Sequence, residues 1–216
     1  MLLVGGHPAI DFVNTLGGRP DRPDDEYLHS YTDLVVWCRR TGLVEDSQAQ
    51  RLTAAVADHP NEADATLGAV FRLRAAVDAI LRARLAQRAP RGQDVDIVRR
   101  SYASAVHHAQ LYLDDTGCRW TWPTSHASDL RMPAGMIALT AFQLLDRARL
   151  DQLGECGHCR WLFLDTSRNH TRRWCSMNAC GGVLKMRRHR VKRAAFDARL
   201  EDESQDQRKF GWNAAR

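Results

Sequence analysis

No stretch of this chain stays apolar for anything close to the roughly 20 residues that a bilayer-crossing helix needs. Its start, Met1 to His7, lacks the charged segment and long apolar core of a signal peptide. Both absences point to a cytoplasmic protein with no membrane partner. An internal repeat is missing, which excludes a repeat architecture. There is no low-complexity linker, so any smaller unit should sit directly against a larger one. Catalytic signatures are missing too. No Ser–His–Asp arrangement, phosphate-cradling glycine loop or carboxylate-rich metal site stands in a convincing context. His107 and His108 are adjacent, so on a helix they point to different sides. An enzyme is therefore not expected.

What is present is an ordinary globular composition: 216 residues, 44% hydrophobic and 26% charged. That length suits one full domain of roughly 100–150 residues plus a small satellite. The net charge of +5 is spread unevenly, because residues 156–193 hold ten Lys or Arg against one acid, Asp165, leaving −4 for the remainder. Such asymmetry points to a polyanion-binding end on a neutral or acidic body. Six cysteines in an intracellular chain of this size do not read as a disulfide framework. Four of them crowd into 25 residues, whereas Cys38 and Cys118 stand alone and read as small hydrophobes.

Helical punctuation dominates the first two thirds. Ser30-Tyr31-Thr32-Asp33 resembles a capping box, with Leu34, Trp37 and Cys38 on one face and Gly42 at the stop. Ser47 is placed to cap a second helix through Val56. The longest helix should open at Asn61 and carry Leu67, Val70, Phe71, Leu73, Val77, Ile80, Leu81 and Leu85 inward. A fourth is expected from Asp94 to about Ala109, with Val95, Val98, Tyr102 and Val106 inward. The period then shortens to two. Leu111-Tyr112-Leu113 and Arg119-Trp120-Thr121-Trp122 flank Asp114-Asp115-Thr116-Gly117, which is hairpin chemistry. Pro133 suits the first turn of a further apolar helix through Leu145.

Cys156-x2-Cys159 and Cys175-x4-Cys180 form two chelating pairs separated by fifteen residues. A Cys-x2-Cys turn aims two thiolates at one ion, and two pairs complete the tetrahedron that zinc favours. Gly157 and Gly181-Gly182 offer the tight or left-handed backbone that such knuckles often require. Four thiolates leave no open position, so one structural Zn2+ is expected rather than a catalytic one. His158 and His170 lie inside the module as alternative ligands, and an iron–sulfur cluster is the other use of four cysteines.

Between the pairs, residues 160–165 read as a strand, and Asp165, Thr166 or Ser167 is placed to cap a short helix carrying Arg168 to Trp174. Trp161, Phe163 and Trp174 would form a miniature core. A longer helix is expected from Val183 to about Ala195, with Leu184, Val191 and Ala195 on a packing side and Lys185, Arg188, His189, Lys192 and Arg193 on the other. A dense cationic helix beside a zinc knuckle is what duplex phosphates attract. The nucleic-acid contacts expected are Arg168, Arg172, Arg173, Lys185, Arg187, Arg188, Arg190 and Lys192, with double-stranded DNA as the partner. Two other uses of the same segment remain: a basic face paired with the acidic body, or a protein-interaction or RNA-binding module.

The run Cys-x2-Cys-Arg-Trp-Leu-Phe-Leu-Asp-Thr-Ser-Arg-Asn, followed by Arg172-Arg173-Trp174-Cys175-Ser176-Met177 and Cys180-Gly181, resembles the CGNR zinc finger. Upstream, Gly6-His7-Pro8-Ala9-Ile10-Asp11-Phe12-Val13-Asn14-Thr15, then Tyr31 to Trp37 and Gly42-Leu43, is similar to the ABATE domain that precedes this finger in bacterial proteins. The resemblance implies a stress-induced transcription regulator whose finger binds DNA. This chain departs from the motif at one place. Where the finger has Asn and Arg after Cys180-Gly181, it has Gly182 and Val183, so any contact made by that Arg would fall to Lys185, Arg187 and Arg188.

Asp11, Asn14 and Thr15 sit among apolar residues, and buried polar groups must find partners within the protein or on a ligand. Helix capping and loop anchoring is one reading; a small effector pocket shared with His7 or Arg19 is the other. The expected architecture is mainly α: a helical domain with one β-hairpin over residues 1–150, a small treble-clef-like zinc finger with a basic helix over 151–196, and a polar tail over 197–216.

Overall fold

A computed structural model describes residues 1–18, 25–115, 117–123, 128–146 and 148–210, with the backbone alone at 148, 149, 188 and 201–210. Arg19, Thr116 and residues 211–216 of the expected tail lie outside the described residues. The elements, in order, are α1 (Pro8–Val13), α2 (Tyr31–Arg40), α3 (Asp46–Ala55), α4 (Pro60–Leu85), α5 (Gly92–His108), β1 (Gln110–Asp114), β2 (Gly117–Thr121), α6 (Met132–Asp146), β3 (Leu153–Glu155), β4 (Leu162–Leu164) and α7 (Gly182–Phe210). Contacts group them into two compact units, Met1–Cys175 and Ser176–Arg216.

Local chemistry sets the helix ends in the first unit. Ser30 caps α2 by accepting the Asp33 N–H at 3.1 Å, and Asp33 returns bonds from the Ser30 hydroxyl and the His29 N–H. Gly42, at φ 74°, lets the chain reverse so that the Leu43 N–H reaches the Cys38 carbonyl at 2.9 Å. Two starts differ from the spacing-based expectation. Helix α3 begins at Asp46 rather than behind Ser47, because Gln48 reaches back to the Glu45 N–H at 2.9 Å. Helix α4 begins at Pro60, whose fixed φ and missing N–H suit a first turn.

The core of this unit collects Ile10, Phe12, Leu34, Leu52, Leu73, Leu81, Leu130, Met132, Ile137 and Leu139, all fully buried. Each such side chain contributes roughly 1.5–3 kcal/mol by leaving water. Leu153, Leu162 and Leu164 belong to the same cluster, so β3 and β4 are built into the helical core. Val95, expected inward on α5, is exposed; Val98 and Ala105 take the buried positions. The β1–β2 hairpin pairs Gln110 with Thr121 through to Asp114 with Gly117, and all of β1 is exposed.

In the second unit, Ser176 accepts the Ala179 N–H at 3.2 Å and starts a π-turn, Met177–Gly181, that leads directly into α7. Helix α7 runs past the expected end at Ala195 to Phe210. Of the expected packing side, Leu184 is half-buried while Val191 and Ala195 are exposed, so that side is covered only at the start of the helix.

Candidate metal centre

Strands β3 and β4 pair antiparallel, with Leu153 opposite Leu164 and Glu155 opposite Leu162, and the Cys156–Arg160 turn joins them. The Cys156 N–H bonds the Trp161 carbonyl at 2.8 Å, and the Arg160 N–H bonds the Cys156 carbonyl at 3.0 Å. Arg160, rather than a glycine, takes the left-handed conformation at φ 65°. Gly157 is needed for space instead, since a Cβ there would meet the Trp174 ring at 3.0 Å.

The sulfurs of Cys156, Cys159, Cys175 and Cys180 all lie within 4.8 Å of one another, and Cys159 and Cys175 are 3.4 Å apart. A zinc–thiolate tetrahedron with bonds of about 2.3 Å places its sulfurs roughly 3.8 Å apart, so the set fits one ion. All four cysteines are buried, and His158 and His170 are outside the cluster. Their acid–base chemistry agrees. Thiol hydrogen bonds from Cys159 and Cys175 hold Cys156 far below its ordinary 9.0. The bond to Cys156 pushes Cys159 up to about 12, and Cys175 rises further through its bonds to Cys156 and Cys159. Packed this closely, the sulfurs shift one another in opposite directions, Cys156 down and Cys159 and Cys175 up. A divalent cation supplies the charge that lets the whole set ionise.

Residues 166–174 form a loop rather than the expected short helix. Asp165 gathers it: Oδ1 accepts the Ser167 N–H at 2.9 Å and the Ser167 hydroxyl at 2.6 Å, and Oδ2 accepts the Arg172 N–H at 2.8 Å. The Ser167 hydroxyl bond, aided by the backbone donors, holds the Asp165 carboxyl below its ordinary range. His170 sits at φ 48°, which interrupts any helix.

Arg172, expected at a DNA contact, is committed inside the protein. Its guanidinium lies 4.4 Å over the Phe163 ring and donates to the carbonyls of Trp174 at 2.9 Å, Leu164 at 3.3 Å, Val4 at 3.1 Å and Cys175. Arg168 and Arg173 are exposed on the same loop, with the Arg173 guanidinium 5.5 Å from the Trp174 ring. On α7, Lys185, Arg187, Arg190 and Lys192 are exposed, and only the backbone of Arg188 is described. Along this helix Arg193 pairs with Asp197 at 3.9 Å.

The polar trio near the N-terminus finds hydrogen-bond partners within the chain. Asp11 accepts the N–H groups of Val4 and Gly5, both at 2.8 Å. Burial raises its carboxyl above the ordinary value, against the pull of those two donors. Asn14 bonds both backbone groups of Leu162. The Thr15 hydroxyl donates to the Phe12 carbonyl at 2.7 Å and accepts from Arg74 at 2.8 Å. His7 accepts the Ala9 N–H as the cap of α1.

Residues 6–148 match the model of the ABATE family, described as "Putative stress-induced transcription regulator". Residues 152–193 match the model of the CGNR zinc finger. Comparison with curated proteins finds no match. Among the described residues no helix is long and apolar enough to cross a membrane. Since the first match spans well over half of the sequence and the second contains all four clustered cysteines, the chain belongs to the ABATE family and carries a CGNR zinc finger for one structural zinc ion.

Proposed function

We propose that this protein is a cytoplasmic, non-catalytic transcription regulator that binds duplex DNA through the first half of α7, with residues 1–150 as its effector-sensing part and 197–216 as a polar tail. One observation carries the reading. Residues 182–193 hold Lys185, Arg187, Arg188, Arg190, Lys192 and Arg193 and no acid, and they grow directly from the turn that bears Cys180. Each phosphate neutralised by such a cation releases counterions, which makes affinity salt-dependent. Arg168 and Arg173, exposed on the finger's loop, are the further contacts proposed.

The test is fluorescence anisotropy of a labelled random-sequence duplex titrated with protein over a salt series. Affinity should fall steeply with salt, and Arg187→Ala with Lys192→Ala should reduce the slope by about 2 while leaving the thermal midpoint unchanged. Absent or salt-insensitive duplex binding would refute the reading and favour a protein-interaction module. Tighter binding to single-stranded RNA would refute it in favour of an RNA-binding one.

A further inference from the structure

We propose that the helical body binds an amphipathic monoanion, an apolar body bearing one carboxylate, in the cavity between α4, α5 and α6. The proposal rests on the effector-sensing reading of that body and places the effector away from Asp11, Asn14 and Thr15.

The cavity holds about 570 Å³, within the range of small-ligand sites, and its wall is largely apolar: Ile80, Val95, Val98, Tyr102, Phe142 and Leu145. Tyr102 and Phe142 stack at 4.0 Å between ring centroids. Val95 and Phe142 are nonetheless exposed, 44% and 37%, so the protein leaves apolar surface in water at this concave place. An apolar body seated there removes that surface from water at about 25 cal/mol per Å².

The charges among the lining residues are Arg84, Arg88, Arg99 and Asp146. Arg99 is paired with Asp96 at 2.8 Å. The side chains of Arg84 and Arg88 have no hydrogen-bonding or ionic partner among the described residues. Their backbone is fixed: Gln87 takes φ 52°, and the Arg88 N–H bonds back to the Ala83 carbonyl at 2.8 Å, closing the end of α4. Two exposed guanidinium groups at the rim of an apolar cavity, without a partner among the described residues, suit a carboxylate head, which each can hold by charge-assisted bonds.

A second cavity, of about 510 Å³, is lined by Arg74, Asp78, Arg82, His158, Arg160 and Trp161 among others. There Arg74 is held by Glu26, Arg82 by Asp78 and Arg160 by Glu155, so an anion would have to displace carboxylates already in place. Among the described residues, the cavity whose Arg84 and Arg88 carry no carboxylate partner is the better receptor.

Isothermal titration of the full-length zinc-loaded chain, without DNA, tests the proposal with four probes: octanoate and 2-naphthoate, and their neutral counterparts octan-1-ol and 2-naphthamide. At least one carboxylate should bind more tightly than its neutral counterpart, and which one names an aliphatic or an aromatic body. Arg84→Gln with Arg88→Gln should weaken that carboxylate by at least about tenfold and leave the neutral probe unchanged. Val95→Trp, at an exposed position, should abolish binding of both by filling the cavity. No binding by either carboxylate, or binding indifferent to the arginines, overturns the proposal. Because no duplex is present, either result is independent of whether α7 binds DNA.

Discussion

Asn14 and Leu162, 148 residues apart, are joined by two hydrogen bonds: the carboxamide nitrogen donates to the Leu162 carbonyl and the carboxamide oxygen accepts the Leu162 N–H, both at 2.9 Å. Both residues are buried, so a side chain at the end of α1 does for β4 what a neighbouring strand would do. The Leu164 N–H adds a third tie, to the Gly5 carbonyl at 2.8 Å.

Asn14→Ala should therefore act as a fold mutation. It leaves a buried N–H and a buried C=O without partners, at about 1–3 kcal/mol each. Urea denaturation should show the midpoint falling accordingly. A variant as stable as the parent would mean that Asn14 serves a ligand after all.

Arg172 and Lys192 should separate structure from binding. Arg172→Ala removes the donors to four backbone carbonyls and the stack on Phe163, so it should lower the thermal midpoint and weaken zinc retention in a competition with a chelator. Lys192→Ala, at an exposed site, should change neither and should weaken duplex binding. Arg172→Lys should not rescue, because an ammonium cannot reproduce a planar fork that serves several carbonyls at once.

Glu26 gives a pH signature. Burial raises its carboxyl, but the hydrogen bonds and charge of Arg74, with the Leu28 and Tyr27 N–H groups, outweigh that and hold it below the ordinary 4.5. A lowered folded value means stability that is present above pH 4.5 and disappears as pH falls through the folded value. Glu26→Gln should cost about 1–3 kcal/mol near neutral pH, and the gap from the parent should close on acidification. Asp11 works in the opposite sense, since its raised carboxyl makes ionisation costly, but it is common to both proteins and cancels in the difference. A gap independent of pH would show that Glu26 does not act through its charge.

Much of the architecture was legible because it is local. The cap at Ser30, the stop at Gly42, the pairing of Asp114 with Gly117 and the two cysteine pairs each depend on residues a few positions apart. The misreadings come from partners that spacing does not reveal. Arg168 to Trp174 looked helical until the Asp165 carboxylate claimed the N–H groups of Ser167 and Arg172. Arg172 read as a surface cation, yet one of its acceptors is the Val4 carbonyl, 168 residues away. The apolar residues of α7 fall on a wheel as if to pack, but Val191 is 64% exposed. Asn14 is the instructive case: its polarity in an apolar run marked it as special, and only the fold named its partner.

Zinc links the cysteine cluster to the helix that follows, because Cys180 lies in the turn from which α7 grows. The most direct measurement is duplex binding by anisotropy at low salt before and after zinc is stripped by a chelator, with zinc counted by mass spectrometry. The parent should hold about one ion per chain and bind; the stripped protein and Cys175→Ser should hold none and bind far more weakly, and zinc should restore the former. Equal binding with and without zinc would contradict the account.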